Sequence, residues 1–239
     1  MPGTAHFPKE GLQFLRSLKR NNNREWFLEH KSIYEARVKK PMEDLIQAMA
    51  EEFATFAPEM VASPKASAYR IYRDTRFSKD KSPYKTQVAA IFPRAGLSKH
   101  EGAGYYLHIS PTELLVGGGL YMPLPEDLNG IRKHIAENPK KFLGIVADRR
   151  FRKLFGTIEG EQLSRVPRGF PVDHPAAQYL KYKQFLASRT FEPGTSTQPG
   201  FHRLVVDTFK AMLPFIRFLN EPLVKARQMR DRQEAMLGL

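Results

Sequence analysis

The chain of 239 residues predicts an α+β fold, with a largely antiparallel sheet over about residues 67–121 and N- and C-terminal helices packed on one of its faces. Three observations predict it. Apolar residues recur at helical spacing through the first third of the chain. Short runs of aromatic and β-branched residues, parted by turn residues, follow as far as Tyr121. Helical patterns then return and run to the C-terminal end.

Leu12, Leu15 and Leu18 mark the first helix, which Asn21-Asn22-Asn23 interrupts. Asn23 is placed to cap a second helix carrying Phe27, Tyr34 and Val38. Pro41 either kinks that helix or opens a third at its first position, where the missing N–H costs nothing. Met42, Leu45, Ile46, Met49 and Phe53 form the stripe of a core-facing helix that Pro58 closes. Strands are predicted at 67–74, 86–93, 104–110 and 113–121, with Ser110-Pro111-Thr112 as a hairpin connection. The neighbouring loops are too short for parallel crossovers. Helices restart at Pro125-Glu126-Asp127 and at Asn138-Pro139, the second running to about Asp148. Loop covers 165–175, and a short segment contains 179–183. The last helical stretch carries Leu204, Val205, Phe209 and Leu213, and Pro214 predicts a kink or a break in it. Without repeats or linker-like breaks, a single domain over 1–239 is expected.

Composition removes whole classes of function. With no cysteine, a disulfide scaffold, a cysteine–zinc site and thiol catalysis are excluded, and a reducing compartment fits. The first nine residues lack the basic-then-apolar pattern of a secretory leader, and no apolar run reaches the roughly 18 residues of a membrane span. A cytoplasmic protein with no membrane partner is expected.

The net charge of +13 is unevenly spread. Residues 64–99 hold nine Lys and Arg against Asp74 and Asp80 alone, a surplus of +7, whereas residues 1–63 balance to zero and residues 181–239 carry +5. Such a concentrated patch attracts phosphates or acidic surfaces. Tyr69, Tyr72, Phe77 and Tyr84 are interleaved with the charges, unlike a plain solvated face.

Within this window Arg70, Arg73 and Arg76 stand three residues apart, followed by Lys79 and Lys81, so five cations share two carboxylates. On a strand, Arg70 and Arg73 point to opposite faces, and the one facing the packed side needs a partner because a buried guanidinium costs several kcal/mol, of order ~3–5 when left unpaired. The planar fork of arginine suits bidentate grip on phosphate or carboxylate. Asp74 is placed to orient Arg73 and Arg76, Phe77 and Tyr84 to anchor the loop, and Pro83 to stiffen it. An ion-pair network that only locks the loop to the sheet explains the same residues.

The run from Arg70 to Lys85 resembles the signature of domain-of-unknown-function family 2461, bacterial proteins of about this length with an Arg-x-x-Arg-Asp-x-Arg-Phe core followed by Lys and Tyr. Asn22-Asn23-Arg24-Glu25-Trp26-Phe27, Gly117-Gly118-Gly119 with Met122-Pro123, and Pro167-Arg168-Gly169-Phe170 are similar to it as well. The resemblance spans most of the chain and implies a single conserved domain. It implies no activity.

The remaining signals have plainer readings. Gly117-Gly118-Gly119 lacks the Gly-Lys-Ser/Thr ending of a phosphate loop and suits close backbone approach. Trp26 reads as a half-buried packing residue and His108 as a core histidine. The seven histidines show no metal-ligand spacing, and no serine stands in a hydrolase elbow. His174, after Asp173 and near Arg168, is the outlying acid/base candidate.

The expected function is therefore binding of a small phosphorylated or carboxylated molecule, nucleotides included, by Arg70, Arg73, Arg76 and Lys81, with Tyr84, Lys85 and Arg168 contributing. Any catalysis needs a base from Asp74, Asp80 or His174. The sequence specifies neither a reaction nor a cofactor, and it suggests no metal. Two rivals stand beside this reading: a nucleic-acid-binding module that uses the basic patch and its tyrosines, and an interaction protein whose arginine network is purely structural.

Overall fold

The structure is a computed structural model that describes residues 6–99 and 101–237. Residues 1–5, on which part of the argument against a leader rests, lie outside the described residues.

The chain opens with helix α1 (Lys9–Arg20), then α2 (Arg24–Glu29) and α3 (Lys31–Tyr34), which passes through a π-helical turn (Glu35–Lys39) into α4 (Lys40–Phe56). Asn23 caps α2 as expected, its side chain accepting from the Trp26 N–H. A short α5 (Pro64–Ser67) precedes strands β1 (Val88–Phe92), β2 (Gly104–Ile109) and β3 (Leu114–Leu120). Helices α6 (Pro125–Glu137), α7 (Pro139–Ala147), α8 (Arg149–Phe155) and α9 (Ala177–Leu180) follow, then strand β4 (Phe185–Phe191), and α10 (Phe201–Leu237) closes the described chain. The four strands form one antiparallel sheet in the order β1-β2-β3-β4, so the fold is α+β. No described helix is long and apolar enough to cross a membrane.

Three elements differ from expectation. Residues 67–74 make no continuous strand. β4 is a strand where no strand was expected. Pro214 and Pro222 both sit inside α10 without ending it.

Contacts divide the chain into two compact units. The first holds the chain up to Phe92 with Tyr106–Val116 and Arg189–Thr208. Its core is the stripe expected of α4, with Ile46 and Met49 fully buried, joined by Leu15, Leu18 and Phe27. Phe53 meets Phe92 of β1 edge-on at 5.2 Å, and each such buried ring contributes roughly 1.5–3 kcal/mol. The second unit holds Pro93–Tyr105, Gly117–Ser188 and the chain from Phe209. Here α10 lays Phe209 on Tyr105 at 4.5 Å and Phe218 on Phe142 at 5.2 Å. The Asn220 amide clamps both backbone groups of Ala103, at 2.9 and 2.8 Å.

The glycine triplet serves the close approach expected of it. A Cβ on Gly119, whose φ is +125°, would lie 2.0 Å from the Phe185 carbonyl oxygen, and one on Gly118 would lie 2.6 Å from that of Gly104.

Candidate functional site

The basic segment folds as an irregular two-stranded arm of the first unit. Backbone bonds run from Tyr69 N–H to the Ala89 oxygen (3.0 Å), from Lys85 N–H to the Ile71 oxygen (2.7 Å) and from Arg73 N–H to the Pro83 oxygen (3.0 Å). Ala68 bridges Ala90 and Tyr72 bridges Tyr84, so three residues on one side face five on the other. That mismatch bulges the arm and is why residues 67–74 form no regular strand despite their strand-like composition.

At the tip of the arm both carboxylates are taken by arginines. Arg76 grips Asp74 with both prongs of its fork, Nε to Oδ1 at 3.0 Å and Nη2 to Oδ2 at 2.8 Å. Asp80 accepts from the Ser82 hydroxyl (2.6 Å) and the Ser82 N–H (2.9 Å), and pairs with Arg73. Lys81 donates to the Thr75 carbonyl oxygen at 3.0 Å. The Arg76 hydrogen bonds hold the Asp74 carboxyl down at about 2, and the Ser82 and Arg73 hydrogen bonds hold Asp80 well below the usual carboxylate range. Asp74 thus orients Arg76, as expected, while Arg73 is held by Asp80 instead. Phe77 is 95% exposed under the Arg76 guanidinium and anchors nothing; the ion pairs, not the ring, hold the tip in place.

Tyr84 does anchor the arm. Its ring is buried and stacks on Phe27 at 4.0 Å. The Asn22 side chain grips its backbone twice, donating to the carbonyl oxygen at 2.9 Å and accepting from the N–H at 3.1 Å. These ties set the arm beside α2 and leave a cleft of about 300 Å³ lined by Arg24 and Leu28 on one side and by Tyr72, Arg73 and Tyr84 on the other. Arg24 is exposed and makes no hydrogen bond or ion pair among the described residues. Arg73 is half-buried, its guanidinium reaching Asp80 and Ser78. The sequence places Arg24 in a block that resembles the family but not in the candidate site; its position beside Trp26 and Phe27 is the signal that sets it near a packed aromatic cluster.

The family model described as Conserved hypothetical protein (DUF2461) matches residues 10–218. The chain belongs to this family. No curated protein and no solved structure matches it. The DUF2461 match includes Arg24, the whole arm and its tip, so every residue of the cleft lies inside it.

The other candidates of this DUF2461 member are placed as follows. Arg70 is exposed without a hydrogen bond or ion pair among the described residues. The Lys85 amine lies 5.1 Å from the centre of the Tyr69 ring; burial, and then the Arg70 charge, push its pKa down. With Asp74 and Asp80 taken by Arg76 and Arg73, the arm supplies no acid for Arg70, Lys79, Lys81 or Lys85 among the described residues. Arg168 is exposed in a loop of the second unit. His174, in the same unit, has both ring nitrogens engaged: Nε2 donates to the Ala136 oxygen at 3.0 Å and Nδ1 accepts from the Ala176 N–H at 3.1 Å. A ring held at both nitrogens has no lone pair left for proton abstraction. His108 is buried as expected, with Nε2 3.2 Å from Glu113. Trp26 is half-buried against Phe14 at 5.5 Å.

Proposed function

We propose that the protein binds a small phosphorylated or carboxylated molecule in the cleft between α2 and the arm. The observation that carries this reading is Arg24, a guanidinium with no acid partner, facing Arg73 across a cleft that also offers two tyrosines. Anionic oxygens accept from the two forks in place of water, and charge-assisted bonds of this kind are worth about 1.5–3 kcal/mol each. Tyr72, 53% exposed beside Tyr84, supplies a surface for a planar group such as a nucleobase. Asp80 holds Arg73 in place, Arg76 with Asp74 and Lys81 with the Thr75 carbonyl keep the tip in shape, and Arg70 and Lys85 add positive field. A thermal-shift series with inorganic phosphate, adenosine monophosphate, glucose 6-phosphate and citrate tests the reading. A concentration-dependent rise in melting temperature with at least one anion, absent in Arg24→Ala, is expected. No rise with any of them contradicts it.

The exposed Phe77 favours a second reading, a nucleic-acid-binding module. A bare ring at a cationic tip suits stacking on an unpaired base. Under that reading, single-stranded DNA binds with an affinity that falls steeply with salt, and Phe77→Ser weakens it about 10-fold.

A further inference from the structure

A second cavity of the first unit, about 610 Å³, is twice the volume of the arginine cleft and of different chemistry. It is a groove between α1 and the run from α2 through α3 into the π turn. Helically spaced residues of α1, Glu10, Gln13 and Ser17, form one wall with Phe14, and Trp26, His30 and Arg37 form the other. The volume falls within the ~300–1,000 Å³ of small-molecule sites.

His30 gives the groove its chemical direction. Its Nδ1 lies 2.8 Å from the Trp26 carbonyl oxygen, which can only accept, so Nδ1 carries the proton. The ring stacks on Trp26 at 4.1 Å with planes 14° apart, which fixes its orientation. Nε2 is left as an acceptor that no described residue uses. His174, satisfied at both nitrogens, has no such vacancy.

Electrostatics decide the class of ligand. Glu10 and Arg37 are the charged residues of the lining and cancel, while Gln13, Ser17, Asn21 and Ser32 are neutral groups that both donate and accept. Asn21 spends its amide N–H on the Ser17 backbone oxygen and keeps its own oxygen to accept. A groove without net charge has no preference for an ion. Alternating donors and acceptors beside Phe14 and the Trp26 edge suit a ring that is polar at its rim and apolar on its faces. We propose that this groove binds a neutral, hydroxyl-rich ligand of the carbohydrate class, one hydroxyl of which donates to His30 Nε2.

Trp26 is the chain's single tryptophan, so its fluorescence reports on this groove. The test titrates the full chain with glucose, N-acetylglucosamine, maltose and cellobiose. A saturable change with at least one of them, at a dissociation constant of about 10 mM or tighter, is expected. His30→Phe keeps the stacking and removes the acceptor, and Ser17→Leu fills the groove; each is expected to weaken binding by about 10-fold or more. His30→Gln, which retains an acceptor, is expected to bind within about 3-fold of the natural chain. Arg24→Ala is expected to leave the sugar response intact, which separates this groove from the anion cleft. No saturable response to any of the four sugars, or undiminished binding in both His30→Phe and Ser17→Leu, would overturn the proposal.

Discussion

Arg24 and Asn22 stand two residues apart and do opposite work. Asn22 spends its amide oxygen and one amide N–H on the backbone of Tyr84, so Asn22→Ala leaves two half-buried groups unpaired. It is expected to lower unfolding stability by about 2 kcal/mol, read from urea denaturation. Arg24 contributes no bond to the fold, so Arg24→Ala is expected to leave the denaturation midpoint unchanged and to cut anion affinity about 10- to 100-fold in a calorimetric titration. Asp74 offers a test by pH. Its pKa is lowered from the ordinary 3.8 to about 2, so its hydrogen bonds with Arg76 stabilise the folded chain fully above pH 3.8. That contribution is lost as pH falls through about 2, and the Asp80 carboxyl is likewise held well below the usual carboxylate range. Carboxyl-carbon NMR is expected to show both midpoints displaced downward; an Asp74 midpoint at 3.8 would show that the ion pair does not form.

The helices were legible because each buries one stripe whose spacing is local information. The stripe from Met42 to Phe53 and the Asn23 cap appear where the residues place them. The arm was not legible, because its composition is that of a strand while its unequal pairing, three residues against five, depends on two distant segments meeting. β4 was missed for a related reason: its buried alternation covers only Phe185 and Ala187 before the chain turns polar and exposed at Arg189 and Thr190. The contact of α1 with the π turn was hidden as well. A Cβ on Gly11 would lie 2.1 Å from the Arg37 carbonyl oxygen, so the two elements touch backbone to backbone. Gly11→Ala must push them apart and is expected to cost about 1–3 kcal/mol, read as a lower denaturation midpoint. An unchanged midpoint would mean that the two elements separate freely.

For the molecule as a whole, the sequence located the charge and counted the acids beside it, but it did not assign which cation each acid takes. The expectation of surplus guanidinium groups near one turn holds for Arg70, whereas Arg73, Arg76 and Lys81 are each engaged by Asp80, Asp74 and the Thr75 carbonyl. Which cation faces a cleft is set by long-range folding: Asn22 and Tyr84 are 62 residues apart in sequence, yet their contact brings Arg24 to the arm. Local spacing carries no trace of such a meeting. The most direct measurement of the central claim is a calorimetric titration of adenosine monophosphate, with inorganic phosphate alongside, into the natural chain and into Arg24→Ala. Saturable binding by the natural chain, weakened about 10-fold or more in the variant while both melt at the same temperature, is the expected result. Absence of binding to either probe, or equal binding by both proteins, would contradict it.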